Sequence, residues 1–147
     1  MLPGQFNKIA PMLTKYIRIS TKGSTDIINI TQQLVKILEE ESLKDALMFL
    51  SVIGSTAAIT TMEYEPGLVK DLKEIFEKTL PFDKDYAHNL TWGDCNSHSH
   101  LRSSFIKTNF FVSVTGGKLD LGTWQQVVLI DFDTRSRERE IVVKIVN

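Results

Sequence analysis

The second half of the chain constrains the fold most, because its apolar residues are patterned as antiparallel strands. Apolar segments over 110–115 and 118–121 flank two consecutive glycines, and such a pair between strands is typical of a two-residue hairpin turn. Two further segments, 124–132 and 140–146, are predicted to be strands as well. We therefore expect this part of the chain to build much of an antiparallel sheet.

The first half alternates between strand and helix patterns. Alternating polar and apolar residues predict a half-buried strand over 14–22, and the continuous apolar run 46–53 predicts a strand buried on both faces. Apolar residues at helical spacing predict one helix that begins near Asn29 or Thr31, and a second helix over 68–79. The mixture of patterns predicts an α+β fold.

Length and composition agree with one compact domain. The 147 residues are 42% hydrophobic, which is enough for a substantial core, and the sequence contains no linker or repeat. We expect a single α+β domain over residues 1–147, in which a mixed or antiparallel sheet packs against two main helices.

Charge and cysteine content limit the partners and the compartment. Lys plus Arg number 17 and Asp plus Glu 18, so the net charge of −1 does not favour nucleic acid as a partner. The single cysteine excludes an internal disulfide and suits a reducing compartment. Residues 1–8 do not resemble a signal peptide, and no apolar run is long enough to span a membrane. A cytoplasmic protein without a membrane partner is expected.

All three histidines and the only cysteine lie within residues 88–104. Imidazole, carboxylate and thiolate groups bind zinc and similar metals, and imidazoles also transfer protons. His88, His98 and His100 are therefore candidate ligands of a divalent metal, with Asp94 and Cys95 as further possible ligands. The alternative is that the histidines lie on the surface or at helix caps.

The two-residue spacing of His98 and His100 leaves the geometry of such a site open. In a strand this spacing puts both side chains on one face, whereas in a helix it separates them by about 200°. Asn96 or Ser97 could cap a helix at this point, so the sequence favours neither geometry.

Two neighbouring groups of polar residues suit phosphate or acid–base chemistry. Arg102, Ser103 and Ser104 could bind a phosphate through a guanidinium and two hydroxyls, although the residues alone favour a solvated arginine beside ordinary serines. Glu63 follows a threonine-rich strand and is a candidate general base or metal ligand. Glu65 instead fits the first turn of the following helix.

Two later segments each allow two interpretations. Trp124 could stack on a ring and Gln125 could bond a polar ligand edge, or the tryptophan could pack in the core. The alternating arginines at 135, 137 and 139 are expected in a solvated hairpin loop, with anion binding or a subunit contact as the alternative.

Several strings, in the same order, resemble the YjbQ-like family, also described as the secondary thiamine-phosphate synthase family. Together they extend from residue 54 to residue 137. The strings are residues 54–60, 63–69, 86–89, 96–104, 121–125 and 131–137.

The resemblance implies a small α+β protein that assembles as a homotrimer. It also implies a weak thiamine-phosphate synthase activity, in which a pyrimidine diphosphate joins a thiazole phosphate and pyrophosphate leaves. A divalent metal would suit this reaction because it offsets phosphate charge. Zinc is expected, or magnesium if phosphate chemistry dominates, and the expected ligand is a small phosphorylated molecule.

The resemblance also assigns candidate roles to individual residues. His88 and His100 match the two spaced histidines of the family, and Glu63 matches its acid after the threonine-rich strand. With His98 added, the three histidines are the expected metal ligands, and Glu63 and His98 the expected catalytic residues. The expected substrate and anion contacts are Arg102, Ser103, Ser104, Thr123, Trp124 and Gln125.

One departure from the family concerns Gly54, where many relatives have a histidine. This chain also has His98 where many relatives have a small residue. The hypothesis is that His98 supplies the imidazole that is missing at position 54.

Two other functions use the same residues. The protein could bind a metal or a phosphorylated metabolite without turnover. Alternatively, the histidines could lie at a subunit interface in a purely structural role.

Overall fold

A computed structural model describes residues 12–147, so the prediction about residues 1–8 lies outside the described part. Eight strands and four helices follow one another in it. They are β1 (Leu13–Thr21), β2 (Asp26–Asn29), α1 (Thr31–Glu40), β3 (Ala46–Val52), β4 (Ala57–Glu63), α2 (Pro66–Thr79), α3 (Asn89–Trp92), α4 (Ser97–Ile106), β5 (Asn109–Thr115), β6 (Lys118–Leu119), β7 (Gln125–Asp131) and β8 (Arg137–Val146). No helix in this part of the chain is long and apolar enough to cross a membrane.

The strands form two antiparallel sheets. The larger sheet has the order β1-β8-β3-β5-β6, and the smaller sheet has the order β2-β7-β4. The α+β prediction is confirmed, as is the hairpin between β5 and β6. The expected hairpin between β7 and β8 is wrong, because these strands belong to different sheets and the charged loop connects one sheet to the other.

The main core lies between the two sheets. Apolar residues from the inner faces of both sheets pack there with the buried side of α1, which contributes Leu34, Ile37 and Leu38. A second core covers the other face of the smaller sheet, where Phe76 of α2 and Ile106 of α4 pack on that sheet. The smaller sheet is therefore covered on both faces, and α2 and α4 form the outermost layer.

The larger sheet has one face that no other described element covers, and this corrects the prediction for β3. Met48 and Leu50 are fully buried, but Leu47 on the opposite face is 46% exposed. Phe49 stands on that outer face beside Phe111, with ring centroids 4.7 Å apart. The apolar run of β3 therefore reflects an apolar outer face, and burial on both faces does not occur.

Side-chain hydrogen bonds fix the two helices of the outer layer, one within α2 and one between α4 and β4. Glu65 caps α2 by accepting hydrogen bonds from the backbone N–H groups of Gly67 and Leu68, as its position before Pro66 indicated. In α4, the Ser103 hydroxyl donates to the carbonyl of Ala57 at 2.6 Å and ties the helix to the start of β4.

Candidate functional site

The histidine segment is helical, and α4 presents its polar residues on two faces. His98 and Arg102 are four residues apart and share the face toward α2. His100 lies about 200° around the helix from His98. Ser104 follows His100 by four residues and shares its face. One helix thus divides the predicted site into two.

The first part is a pair of imidazoles. The rings of His88 and His100 lie 4.9 Å apart between centroids, with an interplanar angle of 71°. Two imidazoles that share a tetrahedral zinc ion have centroids about 5 Å apart, although edge-to-face packing gives similar separations. His88 Nε2 is buried and has no hydrogen-bond partner among residues 12–147. A buried nitrogen with a free position suits a metal ligand.

A polar cavity of about 430 Å³ lies beside α4. Ser104 is one of its lining residues, and its hydroxyl donates to the carbonyl of His100 at 2.8 Å, one turn earlier. Lys107 adds a positive charge that forms no ion pair within the described residues. The remaining lining residues are Gly54, Ser55, Ser103, Thr108 and Asn109. The cavity suits an anion better than a cation.

The second part surrounds His98, which is only 3% exposed. Its ring packs edge-on against Phe82 at a centroid distance of 4.8 Å. Burial first, and the positive charge of Arg102 second, lower the pKa of His98 below its usual value. Both effects favour the neutral form of the imidazole. It lines a cavity of about 330 Å³, whereas Gly54 lines the other one, so the structure does not bring His98 to Gly54.

Arg102 is buried and contacts protein groups. Its Nη2 donates to Glu77 at 2.6 Å and to the carbonyl of Leu80 at 2.7 Å, and its Nη1 donates to the Thr25 hydroxyl at 2.9 Å. Burial alone would raise the pKa of Glu77, but the hydrogen bonds from Arg102 and from the Phe82 backbone, together with the positive charge of Arg102, outweigh burial and lower the pKa. In this arrangement Arg102 joins α4 to the end of α2, and it does not lie in the cavity with Ser104.

The other predicted site residues lie at the end of the smaller sheet that is far from Ala57, where α4 is attached. Glu63 pairs with Gln125 across β4 and β7, and the Gln125 side chain donates to the Thr61 hydroxyl at 2.9 Å. Thr123 is exposed, and Trp124 is 71% exposed and does not pack in the core. Glu63 is six residues along β4 from Ala57, which corresponds to about 20 Å. One chain therefore does not unite these residues with the helix α4.

The number of metal ligands within one chain is also limited. Among residues 12–147, no group of three or more His, Cys, Asp and Glu side chains converges on one point. Cys95 is exposed, and so is Asp94. The His88–His100 pair could supply at most two ligands, and a metal bound there would need further ligands from outside these residues.

The structure also contains a buried charge network that the sequence patterns did not predict. Arg139, expected in a solvated loop, is only 7% exposed and donates to Asp131 through Nε and Nη2, both at 2.7 Å. Asp133 joins the network through Arg137 and Thr56. The expectation of a solvated loop is wrong for Arg139 because β8 begins at residue 137 and turns this side chain inward. The sequence did contain one signal for this network, because Arg137 and Arg139, like Asp131 and Asp133, are spaced two residues apart.

Comparisons with known proteins agree with the resemblance. A family model described as UPF0047 protein YjbQ-like matches residues 15–147. A UPF0047 protein of Archaeoglobus fulgidus is 34% identical over 128 residues, which cover 87% of this chain and 97% of that protein. A UPF0047 protein of Methanothermobacter thermautotrophicus is 32% identical, with 90% of each chain covered.

Solved structures give the same result for the fold. A crystal structure of a YbjQ-like protein of unknown function from Sulfolobus solfataricus is similar with a TM-score of 0.83 and 31% identity, and the match covers 93% of this chain and 99% of that one. An uncharacterised conserved protein of the yjbq/upf0047 family from Clostridium acetobutylicum has a TM-score of 0.79 and 31% identity, covering 88% and 99%. The chain therefore belongs to the YjbQ-like UPF0047 family, whose function is not established.

Proposed function

We propose that the protein binds a small phosphorylated molecule at a divalent metal held by His88 and His100. The observation that carries this proposal is the buried, unpartnered Nε2 of His88 beside the ring of His100. Nitrogen ligands favour zinc over magnesium, which prefers oxygen, so zinc is the first candidate and magnesium the alternative. When bound, the metal would offset negative charge on phosphate oxygens.

The cavity that contains Ser104 is the proposed phosphate site. Lys107 contributes a positive charge there, and Ser55 contributes an exposed hydroxyl. A positive charge held beside a departing anion stabilises it, which would suit a transferase that releases pyrophosphate. The proposed reaction is a weak thiamine-phosphate synthase-type transfer. Binding without turnover is the alternative.

We further propose a homotrimer in which neighbouring chains complete the site. Glu63 and Gln125 lie about 20 Å along the smaller sheet from the start of β4, yet the same chemistry would need them beside the metal. Trp124 at that end is 71% exposed, and Phe105 on α4 is 74% exposed. Contact between these two ends on different chains would bury both apolar side chains and bring the Glu63 carboxylate of one chain to α4 of its neighbour. A cytoplasmic location is proposed because the exposed Cys95 thiol suits a reducing compartment.

Metal analysis of the purified protein tests the central claim. We expect stoichiometric zinc in the unsubstituted protein and its loss in both His88→Ala and His100→Ala. His98→Ala is the matched control from the opposite face of α4, and it should retain the metal. Loss of metal in His98→Ala would instead favour the hypothesis that His98 replaces the missing histidine. A protein that never binds zinc or magnesium, even after reloading, would contradict the proposal.

Turnover is tested separately on metal-loaded protein with a pyrimidine diphosphate and a thiazole phosphate. Release of pyrophosphate that requires His100 would support the transferase. Saturable phosphate-dependent binding with no product would favour the noncatalytic alternative.

A further inference from the structure

The cavity beside His98 is separate from the proposed metal site and has a different chemical character. It measures about 330 Å³, which lies at the small end of the range for small-molecule sites and far exceeds the ~30 Å³ share of one liquid water. The residues that line it are His98, Arg102, Glu77, Phe82, Ser24 and Thr134. The space is therefore large enough for more than ordered water.

The hydrogen bonds of Ser99 determine which nitrogen of His98 carries the proton. The Ser99 hydroxyl has one proton, which it donates to the carbonyl of Phe132 at 2.5 Å. Its oxygen lies 3.1 Å from His98 Nε2 and must therefore accept a hydrogen bond from that nitrogen. In a neutral imidazole the other nitrogen then has a free lone pair. His98 Nδ1 is buried and has no partner within residues 12–147.

The remaining cavity wall has no net charge. Arg102 forms an ion pair with Glu77 and also donates to the carbonyl of Leu80. The Phe82 ring adds an apolar surface and is 54% exposed at the rim. A free anion would meet the Glu77 carboxylate, and a free cation would meet the Arg102 guanidinium. The wall therefore suits an uncharged ligand.

We propose that this cavity binds a small, uncharged aromatic molecule whose O–H or N–H group donates a hydrogen bond to His98 Nδ1. The ligand ring packs against Phe82, and the exposed hydroxyl of Ser24 is available to a second polar group. Phe82 must turn away from the imidazole for the ligand to enter, because Nδ1 is closed off from solvent in the structure. The site uses neither His88 nor His100, so it goes beyond the proposed metal chemistry.

Phenol and anisole test the proposal, because both carry the same ring and only phenol has a hydrogen-bond donor. The full-length protein is titrated with each in the presence of a chelator, while long-range ¹H–¹⁵N spectra report the ring nitrogens of all three histidines. We expect His98 in the Nε2–H tautomer and a saturable change of its Nδ1 resonance with phenol. Phenol should bind about five- to tenfold more tightly than anisole, as expected for one hydrogen bond.

Two variants assign the effect. His98→Phe keeps a ring against Phe82 but removes the acceptor, so phenol should bind it no better than anisole does. His100→Phe makes the same change on the other face of α4 and should leave the preference for phenol intact. The comparison of phenol with anisole on the unsubstituted protein remains decisive if His98→Phe does not fold.

Three outcomes would overturn the proposal. These are a proton on Nδ1, equal binding of phenol and anisole, or an Nδ1 resonance that neither compound changes, in which case water alone occupies the cavity. The chelator separates this result from the metal proposal, because the titration is then carried out without a bound metal.

Discussion

At the scale of single residues, buried charged side chains are the feature that the composition of the chain does not reveal. Asp131 is fully buried, and Arg139 forms two hydrogen bonds with it. Buried ions are costly to desolvate, so each one depends on its partner. The network joins the end of β7 to the start of β8 and thus links the two sheets.

Removal of the central guanidinium should therefore be strongly destabilising. We expect Arg139→Met to lower the free energy of unfolding by about 3–5 kcal/mol, because it leaves buried carboxylates unpaired. Chemical denaturation measures the change. Arg135→Met is the control, since Arg135 is exposed and forms no ion pair within the described residues, and it should stay within about 0.5 kcal/mol. Similar losses in both variants would contradict a special role for Arg139.

Because of the same network, we expect acid to lower the free energy of unfolding. Burial alone would raise the pKa of Asp133, but the hydrogen bonds from Arg137, Thr56 and the Thr134 backbone, together with the charge of Arg137, outweigh burial and lower the pKa below its usual value. Its contribution to stability is therefore present above about pH 4 and is lost as pH falls through the lowered pKa. Urea denaturation between pH 5 and about pH 2.5 should show a shallower pH dependence in Asp133→Asn than in the unsubstituted protein. Parallel curves would contradict this assignment.

At the scale of elements, sequence patterns predicted most strands and helices but not the contacts between them. The strand at 14–22 and the helix at 68–79 appear as β1 and α2, because one-sided burial leaves a periodic signal. The histidine segment had no such signal, since buried Ser97, His98 and Ser99 follow each other without an apolar stripe. Its helix is stabilised by tertiary hydrogen bonds, which no local pattern records.

Those tertiary hydrogen bonds make two adjacent serines of α4 unequal. Ser103 is buried and donates to Ala57 on β4, whereas Ser104 is exposed and donates within its own helix. We expect Ser103→Ala to lower the free energy of unfolding by about 1–2 kcal/mol, because a buried carbonyl loses a donor. Ser104→Ala should change it by less than about 0.5 kcal/mol. Thermal or urea denaturation of the two variants decides the point, and equal effects would argue against the anchoring role of Ser103.

At the scale of the whole molecule, the candidate site residues are distributed over two ends of the smaller sheet. The motifs in the sequence predicted a set of residues for one functional site. They carried no information on the distance of about 20 Å that separates Glu63 from the start of β4. An assembly of several chains would bring such ends together. Its interface could lie either at α4 or on the uncovered face of the larger sheet, and each surface carries different exposed side chains.

Light scattering can identify the surface that forms the proposed trimer. With a chain of 16.7 kDa, a trimer has a mass of about 50 kDa. Phe105→Lys, on α4, should dissociate it, because a charge would be buried between chains. Tyr16→Lys makes a matched change on the uncovered face of the larger sheet, where Tyr16 is 61% exposed, and should leave the mass unchanged. The opposite result would assign the interface to the larger sheet, and a monomer in every sample would contradict the trimer.

The close approach at Gly54 limits how the chain can change over evolutionary time. A Cβ atom at this position would lie 3.0 Å from Arg139 Nη1, and the backbone φ of +129° already disfavours any side chain. Because Arg139 is held by Asp131, it cannot easily yield space. A chain with a side chain at position 54 would also have to alter its buried arginine, so we expect a single substitution at either position to be accepted rarely on its own.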